Sequence, residues 1–464
     1  MCERLMQVRK LEAMDQTLRQ IAHYAAHFSF SNLSSDAVRD CRKRLVDVIA
    51  CAVAGYDKKP CTIARHMAMQ HAALPQAQLI GTPHFSSLEM VAFANGVMIR
   101  YLDGADTYPG GGGHGSDCWA GILAVAQFKK STLQETITAV TLAYEIFYHL
   151  FQSGNFREHG LDNVLYATVG TTVGVCHLLK LNEQQTANAV SIALTGHLPM
   201  GVARTGALSM WKSGASGNAA RNGVFAARLA QLDFDAPAQP FEGVRGLFEI
   251  TKKFTWPLLP TQATDTYALS LSHMKSYLCD YHSQTPILAA MQLHQKCCVD
   301  EIAHVHIQTY WFAWNEVASE KEKWHPSNRE TADHSMPWIV AGVLTDGLFS
   351  EKIFESYRLV DADLHALAEK ISIDVNEGLT EKFPDRMPCI MTITTHQGKK
   401  FEVQVDMPHG HFLNPLQVGD IENKFKSLTL HHYKPEQADR ILSLIWNMEL
   451  NQPIDQILKE VVIL

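Results

Sequence analysis

Residues 34–55 read SSDAVRDCRKRLVDVIACAVAG, and this stretch predicts the architecture of most of the chain. Its apolar residues recur at intervals of three and four from Val38 to Ala52. That is the period of a helix with one buried face. Gly55 follows the last of them, at a position where helices commonly end.

The same helical periodicity continues to about residue 272 and returns in the last fifty or so residues. Two helix starts carry a capping-box pattern, Ser86 with Glu89 and Asn182 with Gln185. We therefore expect both ends of the sequence to build one large helical domain.

Between these helical parts the pattern becomes that of strands. Residues 301–314 and 371–375 alternate or are rich in β-branched and aromatic side chains, and residues 389–405 contain a Gln397-Gly398 turn typical of a hairpin. Residues 334–347 predict a helix among these strands.

The predicted fold is mainly α with an α+β second domain. We expect an all-helical domain from residues 1–272 and 406–464, and a smaller α+β lid domain over residues 273–405. Two domains also fit the length, because 464 residues exceed what one hydrophobic core usually organises.

Composition argues against several classes of protein. A net charge of −8 without a long Lys/Arg run disfavours nucleic-acid binding, and no run of about eighteen apolar residues predicts a membrane span. Glu3, Glu12 and Asp15 argue against a transit peptide. The ten cysteines form no CxxC pair, so we expect reduced thiols, a cytoplasmic location and no iron–sulfur cluster.

Residues 100–127, RYLDGADTYPGGGGHGSDCWAGILAVAQ, contain the densest group of polar residues beside glycine. Asp103, Asp106 and Thr107 are three and four apart at the end of a predicted helix, so they are expected to share one face. Glycines at 110–113 allow close approach of the backbone to a ligand.

His114 follows these glycines, and Ser116 is expected to cap a helix that starts near Cys118. A helix N-terminus offers free N–H groups and positive partial charge to a carboxylate. The alternative interpretation is a capped glycine-rich loop with solvent-exposed acids.

Lys212 precedes a run of small residues at 213–217, which leaves room for an anionic ligand; the alternative is a surface lysine over a tightly packed helix pair. Lys275 and His282 form a further candidate group, with Ser283 as a possible helix cap, although a lone histidine near a helix start more often caps or packs.

A fourth stretch, residues 321–342, is expected to form a structural network of side chains that pair among themselves. Its members are Arg329, Glu330, Asp333 and His334.

At these residues the chain resembles the MmgE/PrpD family, which includes 2-methylcitrate dehydratase, cis-aconitate decarboxylase and iminodisuccinate epimerase. The resemblance runs nearly end to end. It is carried by the order and spacing of RLVDVIACAVAG, RYLDGADT with HGSD, REHGLDNVLYATVG, SMWKSGASGNAARNGVFAARLAQ, PFEGVRGLFE, DYHSQT, RETADHSMPW and PLQVGDIENKF.

The resemblance implies a helical domain with an α+β lid, usually in a homodimer, and an active site between the domains. It implies a small polycarboxylate as substrate, no cofactor or metal, and a place in propionate metabolism. Its catalytic positions fall on Asp103, Thr107, His114, Lys212, Lys275 and His282. Substrate-binding positions fall on Asp162, Ser116 and Trp338.

The sequence departs from the family pattern in a few places. Gly104 and Ala105 replace bulky and polar residues, Gly115 replaces a proline, and Trp338 stands where a tyrosine is common. The glycine run at 110–113 is also long. These departures leave the substrate open.

Dehydration of a hydroxy-tricarboxylate requires removal of a proton next to a carboxylate, stabilisation of the resulting charge, and loss of water. Without a cysteine cluster or an HExxH-like motif, we expect side chains to perform it. Lys212 and Lys275 would hold carboxylates, while His114 and Asp103 would exchange protons. The same groups would serve decarboxylation or epimerisation.

Two other classes remain open at this stage. One is a catalytically silent family member that binds a carboxylate, which the retention of all six catalytic positions disfavours. The other is a metal-dependent hydrolase using some of the 23 histidines, which is disfavoured for want of paired ligand spacing on a helix.

Overall fold

A computed structural model describes residues 14–154 and 156–463, which divide into two compact units. Unit 1 holds the chain up to Val202, Ser213–Ser272 and the part from Gln417, and unit 2 holds Ala203–Lys212 and His273–Leu416. The predicted bounds differ, because residues 203–212 and 406–416 were expected in the helical domain. Of the residues used above, Glu3, Glu12 and the first of the ten cysteines, Cys2, lie outside the described range.

The first part of the chain, as far as residue 272, is helical apart from one two-stranded ribbon. Its α-helices are α1 Gln16–His27, α2 Ser35–Ala54, α3 Lys59–Met69, α4 Leu88–Tyr101, α5 Trp119–Lys129, α6 Leu133–Ser153, α7 Val164–Leu178, α8 Glu183–Gly196, α9 Trp211–Gln231, α10 Leu247–Ile250 and α11 Ala268–Leu271. The ribbon pairs β1 Ala77–Gln78 with β2 Phe85–Ser86 in antiparallel orientation. Short 3-10 helices span Phe30–Asn32, Gly115–Cys118, Phe156–His159 and Gly201–Arg204.

Helix α2 follows the prediction from its sequence. The Ser34 hydroxyl accepts a hydrogen bond from the Ala37 N–H at 3.0 Å, and the Gly55 N–H donates to the Cys51 carbonyl at the other end. The predicted capping box at Asn182 and Gln185 is confirmed at the start of α8.

The capping box predicted at Ser86 and Glu89 is wrong by one residue. Ser87 is the cap of α4, and its side chain makes no capping hydrogen bond. Ser86 belongs to β2, where its buried hydroxyl donates to the Ala68 carbonyl at 2.7 Å. The Ser86 hydroxyl therefore bonds to a residue distant in sequence and not to the N-terminus of α4.

Unit 2 contains a four-stranded sheet and its helices. The α-helices are α12 Gln284–His294, α13 Trp311–Val317, α14 Arg329–Ala332, α15 Met336–Asp346, α16 Ala362–Glu369 and α17 Glu377–Thr380. The strands are β3 Ile302–Thr309, β4 Ile371–Val375, β5 Cys389–Thr395 and β6 Lys400–Val405. Short 3-10 helices span Tyr281–Ser283, Val299–Glu301, Lys321–Lys323 and Glu351–Phe354.

The sheet has the order β4-β3-β5-β6, with β3 and β4 parallel and the other pairs antiparallel. Alternate residues of β5 are buried, as expected when one face of a sheet packs on a core. The hairpin predicted at Gln397-Gly398 is confirmed, and Gly398 takes a positive φ of 79° in the turn.

The strand predicted over residues 301–314 ends early. β3 stops at Thr309, and Tyr310 is the N-cap of α13, in which Ala313 and Val317 are buried. Their spacing of four places them on one helical face, so burial outweighs the β-propensity of the aromatic residues there.

The last part of the chain returns to unit 1 as α18 Val418–Thr429, α19 Pro435–Asn447 and α20 Asp455–Glu460. The prediction of a mainly α fold with an α+β second domain is thus confirmed. Among the helices of the described residues, none combines the length and apolar character that crossing a bilayer demands.

Candidate active site

The polar loop of unit 1 starts where α4 ends at Tyr101. Asp103 has a φ of +54°, a left-handed conformation that an aspartate tolerates better than most residues. The expected helical face shared by Asp103, Asp106 and Thr107 is therefore wrong, because the helix has already ended. The two aspartates bind different partners instead.

Asp103 is buried and forms an ion pair with Arg100 of the preceding helical turn. Its Oδ1 also lies 3.5 Å from Nε2 of His114. The Nδ1 atom of His114 is 2.8 Å from the backbone oxygen of Asp106. A carbonyl oxygen only accepts, so Nδ1 carries hydrogen, and in the neutral ring Nε2 has the lone pair.

Asp106 anchors the loop to the helical core. Its Oδ1 accepts the Ser116 N–H at 2.9 Å, while Oδ2 accepts the Ser272 hydroxyl at 2.6 Å and Nε of Arg44 at 3.3 Å. The Arg44 and Asp106 side chains are almost fully buried. Both ends of the loop are thus tied to one carboxylate.

The glycine run makes a tight turn between these anchors. The Tyr108 N–H donates to the Gly113 carbonyl at 2.8 Å, and the Thr107 hydroxyl donates to the same oxygen at 3.1 Å. Gly113 has a φ of +79°, and a Cβ there would lie 2.6 Å from the Asn163 side chain. Thr107 and the glycines therefore shape the loop.

Ser116 does not cap α5, contrary to expectation. It lies inside the 3-10 helix Gly115–Cys118, and no side-chain bond caps either helix. Its hydroxyl is buried and has no hydrogen-bond partner among the described residues. Next to it, Asp117 accepts a hydrogen bond from the Ser216 hydroxyl at 3.0 Å.

Asp162 lies within unit 1 just before α7 and is buried. Its backbone N–H donates to the Pro199 carbonyl at 2.9 Å, and its Oδ1 is 3.4 Å from the Val164 N–H. Its proposed role in substrate binding stays a prediction.

Lys212 of unit 2 is completely buried, so the surface position given as the alternative is wrong. Its Nζ is 2.8 Å from both carboxylate oxygens of Asp333. His334 Nδ1 lies 2.6 Å from Oδ1 of Asp333, and His334 Nε2 is 3.9 Å from Asp280. Of the network predicted within residues 329–334, Asp333 and His334 pair with each other, while Arg329 pairs with Glu351 instead.

The small residues that follow Lys212 pack against a helix. A Cβ on Gly217 would lie 2.5 Å from the Phe93 carbonyl oxygen, and a Cβ on Gly96 would lie 2.8 Å from Gly217 Cα. These glycines allow α4 and α9 to approach closely within unit 1. Gly217 therefore has a packing role in this helix pair.

Lys275 and His282 are both buried in unit 2. Lys275 Nζ donates to the Cys279 carbonyl at 3.0 Å, and His282 Nδ1 lies 2.6 Å from the Tyr310 hydroxyl. Burial raises the pKa of Tyr310 well above its usual value, so this phenol stays neutral. Ser283 precedes α12, but its side chain makes no capping bond.

Two family models match the chain in succession. The MmgE/PrpD N-terminal domain matches residues 19–255, and the MmgE/PrpD C-terminal domain matches residues 277–450. The chain belongs to the MmgE/PrpD family. The resemblance drawn from the sequence motifs is thereby confirmed.

Relatives of this MmgE/PrpD chain match nearly its whole length. A 2-methylcitrate dehydratase of Cupriavidus necator is 26% identical over 458 residues, covering 92% of this chain and 93% of the relative. One of Escherichia coli strain K12 is 25% identical over 464 residues, covering 93% of each. A fungal alkylcitrate dehydratase phiI is 25% identical over 451 residues, covering 89% of this chain and 87% of the relative.

Trp338 departs from the MmgE/PrpD pattern, and its surroundings argue against the substrate-binding position that the resemblance gives it. The side chain is completely buried among the core residues of unit 2. Its indole N–H already donates to the Ile353 carbonyl at 3.0 Å, and its ring centroid is 4.8 Å from that of His365. Trp338 therefore packs the start of α15.

Gly115, the departure beside His114, has a packing reason. A Cβ at this position would lie 2.4 Å from the ring of Tyr144. The proline common at this position in the MmgE/PrpD family also has a Cβ and would clash with Tyr144 in the same way. Glycine at 115 is therefore compatible with the position of the Tyr144 ring. The departure preserves the position of the 3-10 helix.

Several polar residues that hold the candidate site were missed. Lys424 of α18 pairs with Asp47 of α2 at 2.6 Å and donates to the Gly104 carbonyl at 2.6 Å. Burial raises the pKa of Asp47, and Lys424 opposes that rise. The recognisable signal was a charged residue on the apolar face of a predicted helix, as with Asp47 and Arg44.

Proposed function

We propose that this chain removes water from an alkyl-substituted citrate of the 2-methylcitrate class. It is a hydro-lyase of the MmgE/PrpD family, and the three relatives described above all carry dehydratase names. The observation that carries the proposal is the arrangement around His114. Its Nδ1 is bonded to a carbonyl oxygen, and its Nε2 lies 3.5 Å from Asp103.

His114 is the proposed general base. In the neutral ring, Nε2 takes the proton from the carbon next to a substrate carboxylate, and the electron pair forms the carbon–carbon double bond. Asp103 stabilises the imidazolium that results, and its ion pair with Arg100 fixes its orientation. The abstracted proton and the departing hydroxyl leave together as water, so the enzyme returns to its starting protonation state.

Charge develops on the substrate carboxylate during this step, and cations stabilise it. Lys212 and Lys275 are the proposed cations, with the Ser116 hydroxyl and Asp162 as proposed binding groups. Two hydrogen bonds of 2.8 Å to Asp333 fix the position of the Lys212 ammonium. The Asp333 carboxylate also offsets part of the positive charge, so Lys212 attracts a substrate carboxylate less strongly than an isolated ammonium would.

Incubation of the purified protein with a panel of acids tests the reaction. The panel comprises the 2-methylcitrate stereoisomers, citrate, cis-aconitate and small amino- or hydroxy-dicarboxylates, and products are identified by NMR and mass spectrometry. Loss of water from 2-methylcitrate supports the proposal. Loss of carbon dioxide would assign a decarboxylase, inversion without loss of mass an epimerase, and binding without turnover a silent family member.

His114→Gln tests the proposed base directly. We expect turnover to fall at least about a hundredfold, because a positioned base typically contributes that much. His84→Gln is the matched control, since His84 is exposed in unit 1. Equal turnover in the His114 variant and the control would remove His114 from the mechanism.

The predicted homodimer, cytoplasmic location and absence of a cofactor stay predictions. The mass of the purified protein in solution tests the first of them, and fractionation of cells that express the chain tests the second. Exhaustive chelation before the assay tests the third.

A further inference from the structure

A group of metal-ligating side chains lies on unit 1 apart from the polar loop. His23 and His27 are four residues apart on α1, so they occupy one face of that helix. Glu183 is the first residue of α8. One ligand atom from each of the three residues can be chosen so that all lie within 4.8 Å of one another.

The tautomer of His27 suits metal binding. Its Nδ1 lies 2.8 Å from the backbone oxygen of His23, which can only accept. Nδ1 therefore donates, and Nε2 of the neutral ring keeps its lone pair. Histidine ligands of metals commonly show this arrangement, in which the second ring nitrogen donates to a carbonyl or carboxylate.

The spacing of His23 and Glu183 also fits a metal. His23 Nδ1 is 3.3 Å from Oε2 of Glu183. Two ligands at about 2.0–2.1 Å from a tetrahedral zinc ion lie about 3.3 Å apart. The ring centroids of His23 and His27 are 4.2 Å apart, so the two imidazoles are neighbours on α1.

We propose that His23, His27 and Glu183 bind a divalent transition metal of the zinc class, with water completing the coordination. Imidazole and carboxylate ligands suit Zn²⁺, Cu²⁺ and Ni²⁺. The side chains are accessible, with 64% of His23 and 26% of Glu183 exposed. The ion would connect α1 to α8 and would take no part in proton transfer at His114.

The paired spacing was present in the sequence as HYAAH at residues 23–27. The expectation that no helix carries paired ligand spacing, which disfavoured a metal-dependent protein, is therefore wrong. The alternative is an ordinary surface hydrogen bond between His23 and Glu183, and such bonds typically contribute little to the free energy of unfolding. Such a pair would bind no metal.

Calorimetric titration with Zn²⁺ separates the two interpretations. The full-length protein is freed of any affinity tag, treated with a chelator and titrated at neutral pH. We expect saturable binding of one Zn²⁺ to this site, with affinity at least tenfold lower in His23→Ala, His27→Ala and Glu183→Gln. His66→Ala is the matched control, because His66 is an exposed histidine on another helix of unit 1.

A thermal unfolding measurement gives a second readout. Zn²⁺ should raise the melting temperature of the wild type and the His66 variant, and leave that of the His27 variant unchanged, because only a ligand that binds the folded state stabilises it. Absence of saturable binding, or equal affinity in all four variants, would overturn the proposal. Neither readout depends on catalytic activity, so failure here leaves the proposed function intact.

Discussion

The buried ion pair between Arg44 and Asp106 yields the sharpest stability prediction. The proposed perturbation is Asp106→Asn, which keeps an oxygen for the Ser116 N–H but removes the negative charge. Arg44 is then left as a buried cation whose remaining acceptors are the Ser272 hydroxyl, the Ser272 carbonyl and the Asp40 carbonyl.

Removing one member of a buried ion pair typically costs 3–5 kcal/mol, because the other charge stays buried without compensation. Only 4% of the Arg44 side chain is exposed, so water cannot replace the carboxylate. The three neutral acceptors soften the loss. We therefore expect Asp106→Asn to lower the opening free energy of the helical unit by about 3 kcal/mol.

The double variant Arg44→Met with Asp106→Asn tests the cause. Removing both charges should restore most of the loss, since an apolar side chain in place of a buried ion pair is often neutral. Native-state hydrogen exchange of α2 amides measures the opening free energy without assuming two-state unfolding of the whole chain. A coupling energy of under about 0.5 kcal/mol in this cycle would refute the reasoning.

Four further outcomes are expected. Lys212→Ala should lower kcat at least about a hundredfold, and Lys212→Arg should not rescue it, because a planar guanidinium cannot replace a compact ammonium; near-normal kcat in either variant contradicts this. Trp338→Tyr should leave the ratio of kcat/KM for two acids unchanged, since the indole packs in the core; a tenfold change in that ratio would return Trp338 to the substrate. Burial lowers the pKa of His177 to about 4, so as the pH falls the unfolded chain takes up a proton at this residue before the folded chain does. The free energy of unfolding should therefore fall by about 3 kcal/mol between about pH 6.5 and pH 4. In urea unfolding over that range, the free energy of unfolding of His177→Gln should depend less on pH than that of the wild type. Activity should survive exhaustive chelation, and a loss that only added metal restores would end the cofactor-free mechanism.

The general fold could be predicted from the sequence because it follows from periodicity. The α2 helix ended at Gly55, and the hairpin formed at Gln397-Gly398, since turn and cap residues act locally. The prediction of one strand over residues 301–314 was wrong at its C-terminal end. The aromatic residues there are compatible with a strand or a helix, and burial of one face in the folded protein favours the helix.

The sequence motifs identified candidate residues, but they did not predict how those residues are arranged. Asp103 and His114 do lie together in unit 1. Their supports, Arg44 and Asp106, depend on contacts between residues 62 positions apart, which periodicity cannot show. Lys212 illustrates the same limit, because its partner Asp333 is 121 residues away.

The discontinuity of unit 1 has a consequence for biosynthesis. The ribosome completes unit 2 before it makes α18, whose Lys424 pairs with Asp47, and before it makes Ile463, whose N–H donates to the Gly81 carbonyl. Until the C-terminal helices α18–α20 are translated, the earlier helices of unit 1 therefore keep part of their apolar surface uncovered. Ribosome-bound chains should be most exposed to chaperones during this interval, and slower translation after residue 416 should prolong it.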